Sequence, residues 1–79
     1  MIHFDSVMSR IKELLSSKIQ DRVKDKDIAM ALQLTPSYYA VIKRRKKVPY
    51  EAIALFCKEE KVTINWVLLD QKPVYLREV

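Results

Sequence analysis

The segment that decides the fold is DKDIAMALQLTPSYYAVIKRRKK, residues 25–47, in which two short helical patterns flank a tight turn. Asp25 can act as the N-cap of the first helix. Three apolar residues then recur at the spacing of one buried face, at Ile28, Ala29 and Leu32. Thr35 supplies a second N-cap, and Pro36 suits a first helical position, where no amide donor is needed. The segment therefore predicts a helix-turn-helix whose second helix starts at Pro36.

The predicted second helix has two unlike faces. At about 100° per residue, Tyr39 and Ile42 point to one side, as core residues should. Four residues on roughly the opposite side are predicted to read DNA bases: Ser37, Ala40, Val41 and Arg44. The serine and the arginine can hydrogen-bond base edges, the alanine lets the helix approach the groove, and the valine can touch a thymine methyl group.

Six further residues are predicted to contact DNA phosphates: Tyr38, Lys43, Arg45, Lys46, Lys47 and Lys26. Most belong to the helix flanks or to the run of five cations at residues 43–47, which suits the walls of a groove rather than its floor. Lys24 and Lys26 lie beside the start of the first helix, where Asp25 and Asp27 compete for the same positive potential. The alternative is that residues 43–47 are a solvated helix end whose cations complement the helix dipole.

These residues resemble the helix-turn-helix domain of phage CI-type repressors, in the broader group of lambda-repressor-like DNA-binding domains. The resemblance covers most of the chain and is carried by three segments: KDKDIAMALQL, TPSYYAVIKRRKKVPYE and FCKEEKVTINWVLLDQKP. The last contains NWVLL, where the family typically has an Asn/Asp-Trp-Leu-Leu motif. The resemblance implies an all-α bundle of four to five helices and a sequence-specific regulator of transcription, a repressor, that binds double-stranded DNA.

Two departures from the family pattern concern glycine, which this chain lacks altogether. The family usually has glycine in the turn where Gln33 stands, so a left-handed Gln33 would carry a penalty of roughly 1 kcal/mol. Glycines are also expected near Asp70 and Lys72. The chain after Leu69 is therefore expected to depart from the family.

Length and charge indicate one small domain with a polyanionic partner. The 79 residues suffice for a single modest core, which we assign to residues 1–69, with residues 70–79 as a tail. The net charge is +5, and five of the fifteen cations lie between residues 43 and 47, which favours nucleic acid. A lone cysteine excludes an intramolecular disulfide and favours a reducing cytoplasm. The sequence has neither an apolar run long enough for a membrane span nor a secretion signal.

The rest of the chain predicts three more helices. In the first, apolar residues recur at helical spacing, with Asp5 or Ser6 as the cap: Phe4, Val7, Met8, Ile11, Leu14, Leu15 and Ile19. A polar connection follows, anchored by Val23. Pro49 can open a helix that runs to about Glu60 and carries Cys57, which we interpret as a core residue. Thr63 can cap a last short helix whose Trp66 closes the core.

The C-terminal segment PVYLREV, residues 73–79, alternates in the manner of a short strand. Together with the last helix it gathers more apolar surface than so small a bundle requires. We therefore predict a homodimer interface at Leu68, Leu69, Val74, Tyr75 and Leu76. The alternatives are a tail that folds back on its own domain and a frayed end of a longer chain.

Catalysis is not expected. The only histidine, His3, lies near a terminus, and no nucleophile can be paired with a base. The sequence also lacks a set of metal ligands and a phosphate-cradling loop. We therefore predict no cofactor and no small-molecule ligand. The second hypothesis is a protein-interaction adaptor or antitoxin-like module that uses the face containing Tyr38 and Val41. Strong salt dependence of duplex binding would separate the two hypotheses.

Overall fold

The computed structural model describes residues 2–18 and 22–76, and this part of the chain forms five α-helices and no extended strand. They are α1 (Phe4–Ser16), α2 (Asp25–Ala31), α3 (Pro36–Arg45), α4 (Tyr50–Glu60) and α5 (Ile64–Leu69). The predicted all-α bundle of four to five helices is confirmed, with five. No helix in the described part is long and apolar enough to cross a membrane.

One apolar core joins all five helices. Each helix contributes a residue that is almost completely enclosed: Ile11, Ala29, Ile42, Ile53 and Val67. Helix α1 packs on α2 and α5, α3 packs on α2, and α5 also packs on α4. The core residues Val23, Cys57 and Trp66 are buried as predicted. In the apolar stripe of α1, Leu14 is only half-buried, and Ile19 lies outside the described residues.

Two threonine caps begin helices as predicted. The Thr35 hydroxyl oxygen accepts a hydrogen bond from the backbone N–H of Tyr38 (3.1 Å), and Pro36 is the first residue of α3. The Thr63 hydroxyl oxygen accepts one from the N–H of Trp66 (3.2 Å). Each cap satisfies an amide that would otherwise lack a partner at the helix start.

Three other predicted helix starts were wrong by one to three residues. Lys24, not Asp25, is the N-cap of α2, because the Asp27 carboxylate accepts a hydrogen bond from the Lys24 backbone N–H (2.8 Å). His3, rather than Asp5 or Ser6, is the N-cap of α1. This earlier start places Phe4 in register with the buried stripe of α1. Pro49 precedes α4 as its N-cap and is not the first helical residue.

Left-handed residues follow four of the helices, and none is glycine: Gln33, Lys46, Lys61 and Asp70. Gln33 is left-handed, with φ of 57°, so the steric penalty considered for it in the sequence applies. Just after it, the Leu34 N–H donates to the Ala29 carbonyl (2.8 Å), which closes the end of α2. Gln33 and Asp70 therefore adopt left-handed geometry at or near two positions where the family resemblance implies glycine.

The C-terminal tail folds back on its own domain. The predicted short strand is wrong for residues 73–76, which form only an isolated antiparallel bridge between Val62 and Tyr75. Three hydrogen bonds hold the tail: Thr63 N to Val74 O (2.8 Å), Leu76 N to Lys61 O (2.9 Å) and Thr63 Oγ1 to Pro73 O (2.6 Å). Residues 77–79 lie outside the described part.

Candidate nucleic-acid interface

Helix α3 buries one face and exposes the opposite one. Tyr39 and Ile42 are 3% and 2% exposed, so they fix the helix in the core as predicted. Among the four predicted base-reading residues, Ser37, Ala40 and Arg44 are exposed and Val41 is half-buried. Helical periodicity places all four on the side away from the core. The outer face of α3 therefore offers a hydroxyl, a guanidinium and two small apolar groups to solvent.

A cationic groove borders this face on the Lys43 side, and we call it the basic groove. Its volume is about 380 Å³, and it lies between the start of α2 and the outer side of α3. Four cations line it: Lys26, Lys43, Arg44 and Lys46. The fold thus brings three predicted phosphate contacts together with the predicted base-reading arginine.

A second groove, which we call the apolar groove, borders α3 on the Tyr38 side. It has a volume of about 400 Å³ and lies between the helix-turn-helix turn and α4. Its lining includes Tyr38, Tyr50, Leu55 and Lys47. The predicted phosphate contacts therefore lie on both sides of the outer face of α3, with Lys47 and Tyr38 here and three lysines in the basic groove.

Two exposed apolar residues of the apolar groove were not identified from sequence. Tyr50 and Leu55 are 51% and 53% exposed, although both belong to α4, whose other apolar residues are mostly buried. Apolar residues at helical spacing indicate which face of α4 is buried. They do not show how far the neighbouring helices cover that face, so the exposure of residues at the edge of the buried face depends on tertiary packing.

Two of the predicted phosphate contacts already have carboxylate partners. Lys43 Nζ lies 2.5 Å from Asp25 Oδ2, and Lys46 Nζ lies 2.8 Å from Asp5 Oδ1. Lys46 also lies over the Phe4 ring, 5.9 Å from its centroid. Within residues 2–18 and 22–76, no carboxylate pairs with Lys26, Arg44, Arg45 or Lys47. The cations around α3 thus form a paired set and an unpaired set.

The two carboxylates also act on the anchor of α3. Burial, together with the negative charges of Asp25 and Asp5, raises the pKa of Tyr39 to about 12. The phenol therefore stays neutral at physiological pH. Burial likewise raises the pKa of Cys57 to about 11, so its thiol is protonated and unreactive, as a structural cysteine should be.

Arg10 is a structural cation that sequence reasoning missed. Its guanidinium donates from Nε to the Val67 carbonyl (2.7 Å) and from Nη2 to the Leu68 carbonyl (3.1 Å). A cation at these carbonyls complements the C-terminal end of α5. The pairing joins residues 57 and 58 positions apart, so no local pattern could reveal it.

The five predicted dimer residues divide into two groups. Leu68 and Val74 are half-buried and pack against the chain's own core. The side chains that remain available to a partner are Leu69, Tyr75 and Leu76, which are 51%, 61% and 52% exposed. The apolar surface predicted for this end of the molecule therefore exists, but it is smaller than the prediction implied.

The part of the chain that the structure describes contains no cluster of three or more potential metal ligands. No family model, curated protein or solved structure matches this chain. The arrangement around α3 is therefore the principal guide to function.

Proposed function

We propose that this chain is a sequence-specific regulator of transcription that binds double-stranded DNA, with α3 in the major groove. The observation that carries the proposal is the position of α3, which is anchored by Tyr39 and Ile42 and exposes its polar outer face between two cation-bearing flanks. A helix about 10–12 Å across fits a major groove about 12 Å wide. The family resemblance supports the same function and is the reason to propose repression.

In this proposal the cations on the two flanks of α3 supply affinity for DNA, and the outer face of α3 supplies sequence specificity. Cations on the two sides of α3 match the two phosphate walls of the groove, and neutralising phosphates releases counterions from any sequence. Arg44 and Ser37 lie on the outer face, where they can hydrogen-bond base edges. Arg44 is the principal reader because a guanidinium can donate two hydrogen bonds to one guanine.

We further propose that the regulator acts as a homodimer. Leu69, Tyr75 and Leu76 offer apolar surface near the tail that the fold leaves uncovered. A two-fold dimer would present two α3 helices to half-sites about 34 Å apart and could exclude polymerase by occupancy. Sedimentation that shows a monomer at high micromolar concentration, with the tail still protected from protease, would rule out this interface.

The test is selection from a pool of random duplexes, followed by sequencing, at two salt concentrations. We expect enrichment of a two-fold-related motif, which would also give the half-site spacing. The control is Arg44→Ala, which should lose preference at one base pair. Salt-sensitive retention without a motif would reduce the function to non-specific nucleic-acid binding.

The second candidate function is a protein-interaction adaptor. The apolar groove favours it, because Tyr38, Tyr50 and Leu55 expose aromatic and aliphatic surface on one side of α3. An absence of duplex retention at low salt would make this function the first to pursue. Its binding should depend weakly on salt, whereas DNA binding should depend on it strongly.

A further inference from the structure

The paired lysines connect the end of α3 to the starts of two other helices. Asp5 lies in the first turn of α1, and Asp25 is the first residue of α2. A carboxylate is favourable at both places because the N-terminal end of a helix carries a partial positive charge. Both carboxylates therefore have a reason to be present that is independent of Lys43 and Lys46.

Both ion pairs are open to solvent. The side chains of Asp5 and Lys46 are 73% and 58% exposed, and those of Asp25 and Lys43 are 58% and 48% exposed. Exposed pairs add little to stability, since water screens the attraction and ordering two side chains costs entropy. Either lysine can consequently exchange its carboxylate for another anion at small cost.

We infer that Asp5 and Asp25 are intramolecular competitors for DNA phosphate, which weaken the binding of this protein to every duplex. The inference rests on the proposed function. A lysine that moves to a phosphate must leave its carboxylate, which then remains beside an anionic backbone. Because phosphates carry no sequence information, the competition lowers the affinity for preferred and scrambled DNA alike.

The opposite role for these carboxylates would be to brace the lysines for phosphate contact. Exposure argues against a brace, because a solvent-screened pair restricts a long lysine side chain only weakly. Lys43 and Asp25 both line the basic groove, so the carboxylate lies on the surface that the duplex would approach. A phosphate bound by Lys43 would lie within a Debye length, about 10 Å, of Asp25, so salt would not fully screen their repulsion.

The experiment compares Asp5→Asn, Asp25→Asn and the double variant with the unaltered chain. Fluorescence anisotropy measures binding to a scrambled duplex of about 20 base pairs, two helical turns, and to the sequence enriched by selection. We expect each variant to bind both duplexes about three- to fivefold more tightly at ~100 mM salt, with the salt slope steeper by up to about one per carboxylate.

The matched control is Glu60→Gln. It changes the net charge by the same amount and releases Lys18, which the structure pairs with Glu60 at the ends of α1 and α4. We expect less than about a twofold change, because surface charges beyond roughly 10 Å are screened. An equal gain in this variant would reduce the effect to net charge and overturn the inference.

Other outcomes separate this inference from the proposed function. Weaker binding by the Asp→Asn variants would identify the carboxylates as braces and overturn the inference, as would an unchanged affinity. If neither the unaltered chain nor the double variant binds any duplex, the proposed function fails as well. Circular dichroism checks folding, and Asp5→Ser and Asp25→Ser, which also remove the charge, replace any unstable variant.

Discussion

The helix-turn-helix and the C-terminal region are built in different ways. In residues 25–45, helix α3 begins at a local cap, and two buried side chains, Tyr39 and Ile42, fix it in the core. In residues 61–76, α5 packs in the core through Trp66 and Val67, but the tail that follows it is held by hydrogen bonds between residues about ten or more positions apart, and much of its apolar surface stays exposed. Helix α3 is therefore positioned by packing, and the tail mainly by backbone pairing.

The two kinds of support determine which surface residues have a fixed orientation. A helix with buried anchors presents its outer residues in a fixed orientation, which base reading requires. A tail held at its backbone leaves side chains such as Tyr75 and Leu76 free to adapt to a partner. The two regions therefore suit recognition and association respectively.

The largest expected effect comes from removing an anchor of α3. Ile42→Ala should lower the free energy of unfolding by about 2–5 kcal/mol, because Ile42 is buried and the deletion leaves a cavity. Leu76→Ala should change it by less than about 0.5 kcal/mol, because that side chain is half exposed. Urea unfolding followed by circular dichroism measures both. Similar losses in the two variants would mean that packing of the tail matters as much as packing of α3.

The next effect concerns DNA. Arg44→Ala should cost about 1–3 kcal/mol on the preferred duplex and less on a scrambled one, because a base contact is lost. Lys47→Ala, the matched cation of the flank, should weaken all sequences alike and lower the salt slope by about one. Anisotropy titrations over a range of salt concentrations give both quantities. Equal losses on the two duplexes for Arg44→Ala would remove that residue from base reading.

The two threonine caps allow a direct test of one region against the other. Thr35→Ala should cost about 1 kcal/mol of unfolding free energy through the lost cap of α3. Thr63→Ala should cost about 1 kcal/mol more, because the Thr63 hydroxyl also donates to the Pro73 carbonyl (2.6 Å) and so holds the tail. Thr63→Ser keeps both bonds and serves as the control. Equal costs for the two alanine variants would show that the bond to the tail adds nothing.

The local parts of the fold could be predicted from sequence. Thr35, Pro36 and Thr63 mark helix starts through short-range chemistry, and the burial of Tyr39 and Ile42 follows from helical spacing. The start of α1 was missed because a tertiary contact decided the boundary. Helix α1 begins at Phe4 because burying that ring outweighs the better caps at Asp5 and Ser6.

The site could be predicted less completely, since its electrostatics depend on distant parts of the chain. The composition of α3 identified the cations, but the pairing of Lys46 with Asp5 spans 41 positions and that of Lys43 with Asp25 spans 18. The bonds from Arg10 to the end of α5 span still more. Spacing along one helix carries no information about such pairs, which follow only from the packing of helices on one another.

The smallest expected effect concerns the turns that end α2 and α5. Gln33 and Asp70 both have a left-handed backbone, with φ of 57° and 58°. Glutamine carries the usual steric penalty of roughly 1 kcal/mol there, whereas a short polar side chain such as aspartate tolerates the geometry better. Glycine removes this penalty but raises the conformational entropy of the unfolded chain, which offsets about half or more of the gain.

We therefore expect Gln33→Gly to raise the free energy of unfolding by a few tenths of a kcal/mol, up to about 0.5, and Asp70→Gly to leave it nearly unchanged. Urea unfolding of both variants beside the unaltered chain measures the difference. Gln33→Ala is the control, since it removes the hydrogen bond to Glu59 (3.3 Å) but keeps the Cβ. A larger gain from Asp70→Gly would contradict this prediction. It would mean that the backbone strain is greater at the start of the tail than in the turn of the helix-turn-helix.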